Sequence, residues 1–302
     1  MKKILALTVV SLLLAAGCTR WNMLNPQTNN PAPTPGNAPS VAALVKYLND
    51  NSGRVQTLRC DELDITCSVN SQSFGLRGKM IAQKPKNFLM GADSLGKRMV
   101  DLGSNDKEFW YWISQDRPPY QYYCGYKELA EGRVKQMPFP FQPDWVIDAM
   151  GLGNYGPAER YKLTVEGNTL KLVETARSPQ GQPVRKVIVM NSRPVKSPQP
   201  QVQAFLLLDD ASGKEICSAH ITETQVDRST GGILPRRIEF RWAMPDQRLK
   251  LAMKLDGVVI NPQIPATSFQ RRPMQGVSSY DLATGRLDQP ASLQRVQGIR
   301  DR

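Results

Sequence analysis

Residues 237–255, RIEFRWAMPDQRLKLAMKL, contain two stretches in which apolar and charged side chains alternate strictly. Such alternation is typical of a β-strand with one buried and one solvated face, because successive side chains of a strand point to opposite faces. The segment 244–247 between the two stretches contains a proline and an aspartate, which favour a turn. The sequence therefore predicts an antiparallel hairpin in a sheet that is covered on one side only.

The predicted hairpin presents two different surfaces. The apolar face of the hairpin and the apolar faces of similar strands earlier in the chain supply candidate residues for a ligand cavity. These residues are Phe74, Leu76, Met80, Phe88, Met90, Phe240, Trp242, Leu251 and Met253. Methionine suits a site for variable acyl chains because its side chain is flexible and polarizable. The opposite face supplies a candidate basic surface, formed by Arg237, Arg241, Arg248, Lys250 and Lys254. The alternatives are a packed core for the first set and an ordinary solvated face for the second.

Two helices are predicted beside the strands. The first follows Ser40, a favoured N-cap residue, and carries apolar side chains at i, i+3, i+4 and i+7 before it ends at Gly53. The second lies in PFQPDWVIDAMGLG, with proline and aspartate at its start and Gly151 at its end. The many prolines and glycines elsewhere indicate short strands and turns. We therefore expect a mainly β (α+β) fold, in which two helices cover the concave face of a curved antiparallel sheet.

The N-terminus has the parts of a bacterial lipoprotein signal. Lys2 and Lys3 precede an apolar run that ends at Leu14, and Ala-Ala-Gly then leads into Cys18. The run is shorter than the roughly 20 apolar residues of a membrane-spanning helix. L-A-A-G-C resembles a lipobox, which implies cleavage after Gly17 and attachment of a diacylglycerol to Cys18. An ordinary secretory signal with a chance cysteine is the alternative.

The chain divides into a signal peptide (1–17), a Pro/Asn-rich tether (18–40), a folded domain (41–275) and a polar tail predicted to be disordered (276–302). Loss of the signal peptide removes two lysines and no acid, so the formal net charge falls from +12 to +10. Thr19 replaces the aspartate that some bacteria read as an inner-membrane signal, which favours the periplasmic side of the outer membrane. An exported protein is not expected to bind nucleic acid.

The remaining cysteines are predicted to be buried free thiols, with disulfides as the alternative: Cys60, Cys67, Cys124 and Cys217. If Cys60 and Cys67 share one regular strand, their odd offset places them on opposite faces. No pair has the spacing of zinc ligands, and the single histidine, His220, has no placed partner. Asp209 and Asp210 fit a turn better than a metal site. The sequence therefore predicts no catalytic residues, no metal and no cofactor.

The order of these features resembles the LolA/LolB-like lipoprotein-carrier superfamily. The resemblance is carried by the helix SVAALVKYLND and by three later segments: GKMIAQKPKNFLM, DLGSNDKEFWYWI and LDGVVINPQIPATSFQRRP. It covers about residues 40–275 and implies an unclosed antiparallel β-barrel with helices over its open side. The apolar interior of such a barrel holds acyl chains. This chain carries its own lipobox, as LolB does, and has an additional central insertion, RPVKSPQPQ, and a C-terminal tail.

Two functions follow from these observations. The resemblance implies a membrane-anchored periplasmic lipoprotein that binds lipid or the acyl chains of lipoproteins in an apolar cavity, in lipoprotein sorting or receipt. The alternative is a structural or interaction lipoprotein with a packed core, whose basic surface binds an envelope partner or anionic lipid. Both attach to the membrane through acylated Cys18, and the sequence leaves the oligomeric state open. An apolar cavity of roughly several hundred Å³ would distinguish them.

Overall fold

The computed structural model describes residues 38–69, 72–134, 137, 142–178, 181–191, 201–243 and 248–288. The predicted signal peptide and nearly all of the predicted tether lie outside these residues. The described residues contain three α-helices: α1 (Val41–Gly53), α2 (Tyr126–Ala130) and α3 (Pro143–Ile147). Helix α3 continues as a wider turn over Asp148–Leu152.

Fifteen strands are present in the described residues. They are β1 (Thr57–Val69), β2 (Gln72–Gln83), β3 (Asn87–Ser94), β4 (Lys97–Ser104), β5 (Glu108–Ile113), β6 (Gln121–Gly125), β7 (Tyr161–Glu166), β8 (Thr169–Arg177), β9 (Pro183–Asn191), β10 (Gln201–Asp209), β11 (Glu215–Val226), β12 (Ile233–Ala243), β13 (Arg248–Ile260), β14 (Ser279–Asp281) and β15 (Arg286–Asp288).

These strands form one sheet in the order β15-β14-β6-β5-β4-β3-β2-β1-β13-β12-β11-β10-β9-β8-β7. Every neighbouring pair is antiparallel except β14 and β6, which run parallel. The two end strands, β15 and β7, do not pair with each other, so the barrel is unclosed. A twisted sheet of this width curves, and the buried side chains of α1 and α3 pack into one core with its concave face. The predicted fold class is confirmed.

Both predicted helices form where the sequence placed them. The hydroxyl oxygen of Ser40 accepts a hydrogen bond from the backbone N–H of Ala43 at 3.2 Å, which caps α1. The apolar stripe of α1 is buried at Leu44, Val45 and Leu48. Helix α3 starts at a proline, and its continuation leaves the helical conformation at Gly151, where φ is +86°. Glycine adopts this left-handed backbone conformation easily because it has no Cβ, and it commonly ends helices in this way.

The predicted disordered tail contains regular structure, so the sequence prediction is wrong over its first part. Ser279–Asp281 pairs with β6, and Arg286–Asp288 folds back on it as a hairpin. Leu282 in the intervening turn is only 8% exposed. Strands of three residues leave no alternating pattern long enough to detect, and residues 289–302 lie outside the described residues.

A second correction concerns Cys60 and Cys67, which point to the same face of β1. A β-bulge between Cys60 and Leu63 shifts the alternation by one residue, so the odd offset no longer separates them. Cys60 stands opposite Met80 and Cys67 stands opposite Phe74, both on the concave face. All four described cysteines are free thiols, as predicted, although Cys67 is only partly buried.

The outer face of the sheet is partly covered by residues 268–275, which follow β13 and which we call the crossing segment. Phe269 in this crossing segment is 1% exposed, and its carbonyl accepts a hydrogen bond from the Asn105 side chain at 3.0 Å. Gln121 donates to the carbonyl of Arg272 at 3.0 Å. Trp110 is also 1% exposed, although it points away from the concave core. The crossing segment therefore lies against the convex side of the sheet, where Phe269 and Trp110 are both buried.

Candidate functional site

All nine predicted cavity residues lie on the concave face of the sheet. The register shows this directly, since Met80 stands opposite Met90 and Phe240 stands opposite Leu251. Seven of the nine are at most 5% exposed: Leu76, Met80, Phe88, Met90, Phe240, Trp242 and Met253. The other two differ, because Leu251 is partly buried and Phe74 is 37% exposed. The structure thus brings the candidates together on one surface, of which most is packed and one end is open.

One cross-strand row marks where the packed interior ends. Its members are neighbours across β12, β13, β1 and β2, and we call them the rim row: Phe240, Leu251, Cys67 and Phe74. Exposure rises along this row, from 1% at Phe240 through partly buried Leu251 and Cys67 to 37% at Phe74. The adjacent row is buried throughout and consists of Ile238, Met253, Ile65 and Leu76. Apolar surface therefore runs without a break from the core to solvent.

Helix α3 covers the buried end of the rim row. Trp145 packs edge-on against Phe240, with ring centres 5.8 Å apart, and Phe240 stacks on Trp242 at 5.7 Å. The carboxylate of Asp144 lies 3.8 Å from the ammonium of Lys86, in the turn between β2 and β3. The three rings form an aromatic wall, and the ion pair adds a polar contact at the edge of the helix.

Asp148, on the wider turn after α3, is a partly buried acid with charged groups nearby. Burial raises the pKa of its carboxyl to about 7, and the opposing attraction to Lys186 and Lys84 does not cancel this effect. Burial also lowers the pKa of Lys84, whose ammonium donates to the carbonyl of Ser52 at 2.6 Å. Helix α3 is therefore held over the sheet by apolar packing, beside a carboxyl whose ionised form is costly to bury.

One cavity on the concave side is small. A cavity of about 40 Å³ lies beneath α1, between Tyr47, Ala149 and Phe205. A water molecule needs about 10–15 Å³ of cavity volume, so this cavity has room for roughly three waters. It is too small for an acyl chain. A groove of about 1970 Å³ lies on the outer face instead, between strands β1 to β4 and the crossing segment 268–275. The larger volume is thus on the outer face, although Leu76 and Met80 of the predicted cavity set are among the residues that line it.

The outer-face basic residues are paired with acids. The pairs are Arg237–Glu223, Arg241–Glu239, Lys250–Glu239 and Lys254–Asp256. Glu239 lies between two cations, 2.6 Å from a nitrogen of each. Surface pairs of this kind contribute about 0–1 kcal/mol each, and their three carboxylates offset only part of the positive charge. The side chain of Arg248 lies outside the described residues. The candidate basic surface therefore also carries acidic side chains.

The polar motifs form local structure and not a catalytic site. The Nε2 atom of His220 lies 3.1 Å from the hydroxyl of Ser218, and that hydroxyl donates to Glu215 at 2.6 Å. Ser218 has no exposed surface, and the acid contacts the serine and not the histidine, which is the reverse of a catalytic triad. Asp209 accepts a hydrogen bond from the backbone N–H of Ser212 at 2.7 Å, as a turn residue does. Within the described residues, no group of three or more His, Cys, Asp or Glu could hold a metal ion.

Two contributors to this site were not among the predicted cavity residues. The sequence predicts Trp145 only as part of a helix. It is the one aromatic residue of α3, and an apolar helix that covers a sheet places its aromatic side chain toward that sheet. Cys67 follows Leu63 and Ile65 at alternate positions of β1, so it shares their inner face. The sequence signals are an aromatic residue on a predicted covering helix for Trp145 and the alternation Leu63, Ile65, Cys67 for the cysteine.

The predicted cleavage site, Gly17 and Cys18, and the predicted lipid attachment at Cys18 lie outside the described residues, so the anchor remains a prediction. Among the helices that are described, none combines the length and apolar character needed to cross a bilayer.

No protein-family model and no curated protein matches the chain. Solved structures similar to it include a LolA superfamily protein from Nitrosomonas europaea, with 10% identity over 75% of this chain and 97% of that one, and a TM-score of 0.43. A putative outer membrane lipoprotein-sorting protein domain from Vibrio parahaemolyticus has 8% identity over 74% and 95%, with a TM-score of 0.47. A DUF1329 family protein from Desulfovibrio piger has 9% identity over 75% and 97%, with a TM-score of 0.45. At these identities the similarities say nothing about activity, so function is argued from this chain's own residues.

Proposed function

We propose that this protein is a membrane-anchored periplasmic lipoprotein that binds an acyl chain, from a lipid or a lipoprotein, along the rim row. The observation that carries the proposal is the continuous apolar surface between the aromatic wall at Trp145 and the half-exposed ring of Phe74. Exposed apolar surface that continues into a core is a typical binding site for an apolar partner. Anchoring through Cys18 in the outer membrane would keep this surface beside its ligands.

The dimensions of the rim row suit part of an acyl chain. The row crosses four strands, so it spans about 14 Å at a strand spacing of about 4.8 Å. Each methylene that leaves water contributes about 0.8 kcal/mol, so a short stretch of chain gains several kcal/mol before the cost of ordering it. The interior beyond Phe240 is filled, and deeper entry requires α3 to move. The proposed site is therefore an open apolar track and not a closed cavity.

Titration with a fluorescent fatty acid tests this proposal. Phe74→Asp and Leu251→Asp place a charge on the track, and we expect at least a tenfold loss of affinity with little loss of stability, because neither side chain is fully buried. Val259→Asp is the matched control, since Val259 is 38% exposed on a strand but stands opposite Arg59 on the other face. Equal losses in all three variants, or no binding by the unaltered protein, would refute an acyl site on the rim row.

A second candidate function is favoured by a different observation. Most of the predicted cavity residues are packed, and the 1970 Å³ groove lies on the outer face, which suits a lipoprotein that binds a protein partner from that side. This function requires no lipid in the purified protein. Native mass spectrometry separates the two, because a co-purified acyl ligand that is lost in Phe74→Asp belongs to the rim row.

A further inference from the structure

Strand β7 forms one end of the sheet and pairs only with β8 among the described strands. A two-residue turn, Gly167–Asn168, joins the two strands and places Glu166 opposite Thr169. The residues that flank such a turn form a hydrogen-bonded pair, so the backbone groups of Glu166, Thr164 and Lys162 point toward β8. The N–H and C=O groups of Leu163 and Val165 must then point away from the sheet. A strand with free edge groups is a template for pairing with another strand.

The sequence of β7, YKLTVE, is complementary to itself in antiparallel orientation. If Thr164 lies opposite the same residue of a second copy, Leu163 lies opposite Val165 and Lys162 lies opposite Glu166. Leu163 and Val165 carry the free edge groups, so each of their two pairs exchanges two hydrogen bonds, four in all. The side chains of Lys162, Thr164 and Glu166 share the exposed face of the strand. Opposite charges and paired threonines at facing positions each stabilise such a ladder by about 0.2–1 kcal/mol.

We propose that this edge pairs with β7 of a second copy of the chain, about a two-fold axis at Thr164, to give a continuous sheet across two molecules. Glu166 already contacts Lys171 within its own chain at 2.5 Å through one carboxylate oxygen, which leaves the second oxygen free to accept from Lys162 of the second copy. The other end of the sheet has no comparable edge, because β15 is only three residues long. The pairing is independent of acyl binding, since the rim row lies on β12, β13, β1 and β2.

The pairing surface is one short strand, so the dimer is weak in dilute solution, well below the size of stable interfaces. The competing explanation is that Lys162 and Glu166 are charges that protect an edge from association, as edge strands commonly carry. The two explanations make opposite predictions for a cross-link at the axis. Residues at a non-hydrogen-bonded antiparallel pair have Cα atoms about 4.5 Å apart, which a disulfide can span.

The test uses the full chain in membranes, with Thr164→Cys oxidised by copper phenanthroline and resolved on a non-reducing gel. We expect a cross-linked dimer, and at least fivefold less of it for Thr175→Cys, an exposed threonine on β8. In the Thr164→Cys background, Lys162→Glu and Glu166→Lys should each reduce the cross-link at least fivefold, because each places like charges opposite one another. Co-expression of those two variants should restore it, since their charges complement across the axis.

A cross-link no stronger than that of Thr175→Cys would show that the edge is protected and would overturn the proposal. A strong cross-link that neither charge reversal weakens would overturn the register and the proposal with it. Lys97→Glu, at an exposed lysine in the β3–β4 hairpin, makes the same charge change elsewhere and should leave the cross-link unchanged. Fatty-acid binding measured on the same variants should also stay unchanged, so failure of this proposal can be told apart from failure of the acyl site.

Discussion

Replacement of Asp148 by asparagine should change how stability depends on pH. The pKa of this carboxyl is raised from its ordinary 3.8 to about 7, chiefly by burial. Between these two values the folded protein holds a proton that the unfolded chain releases. The free energy of unfolding therefore falls as the pH rises from about 4 to about 7, because the native state binds more protons than the unfolded one. Asparagine is neutral at every pH and removes this contribution.

The size of the effect follows from the two pKa values. Their difference, 7 − 3.8 = 3.2, multiplied by about 1.36 kcal/mol per pH unit gives an upper limit on the order of 4 kcal/mol. Asp148→Asn should thus be more stable than the unaltered protein at pH 8, by up to that amount, and similar to it near pH 4. Urea unfolding followed by tryptophan fluorescence at both pH values measures the difference directly.

Other partly buried carboxyls do not affect this comparison. Burial also raises the pKa of Asp101, Asp116 and Asp144, so the unaltered protein loses stability toward neutral pH for several reasons at once. The variant and the parent share those groups, and only their difference reports on Asp148. Asp106→Asn, in the exposed turn between β4 and β5, makes the same charge change at the surface and serves as the control. Parallel pH profiles for Asp148→Asn and the parent would refute the reasoning.

Three further outcomes are expected. Gly103→Ala should lower the free energy of unfolding by about 1–3 kcal/mol, measured by thermal unfolding, because a Cβ at Gly103 would lie 2.1 Å from the Trp110 indole. Cys18→Ala should yield unprocessed precursor or move the protein out of the detergent phase on partitioning, and a variant that remained diacylated would contradict the lipobox assignment. Leu251→Trp should block a fatty-acid probe with little change in melting temperature, because Leu251 is only partly buried beside Phe240. A full overpacking cost in a chain that binds no probe would instead indicate a packed core.

Much of the fold could be predicted because its signals are local. The alternation in residues 237–255 determines which side chains of the hairpin face inward, and the structure places Ile238 and Phe240 there. The caps at Ser40 and Gly151 determine where the helices begin and end, and both are found. The hairpin β14–β15 could not be predicted, since strands of three residues are stabilised by the neighbours they pair with and not by their own pattern.

The candidate site was harder to predict because it depends on register and packing. The sequence shows that nine residues can share a face, but only the pairing of β12, β13, β1 and β2 reveals the gradient from buried Phe240 to half-exposed Phe74. The charge of the outer face also depends on contacts between strands. Glu239 is two residues from Arg241 in the sequence, yet its contact with Lys250 belongs to the next strand, and this one carboxylate offsets part of the charge of both cations.

The position of Asp148 links the pH dependence to acyl binding. An acyl chain that enters at Phe74 meets the filled interior at Phe240, beneath Trp145, so deep binding requires α3 to leave the sheet. Protonation of Asp148 removes the cost of burying its charge and strengthens the docked position of α3. If deep binding occurs, affinity for a long fatty acid should therefore be weaker at pH 5 than at pH 8, and Asp148→Asn should bind weakly at both. A short fatty acid that occupies only the rim row should show no such dependence, because it leaves α3 in place. Equal pH profiles for long and short chains would show that α3 stays docked, and that the rim row alone forms the site.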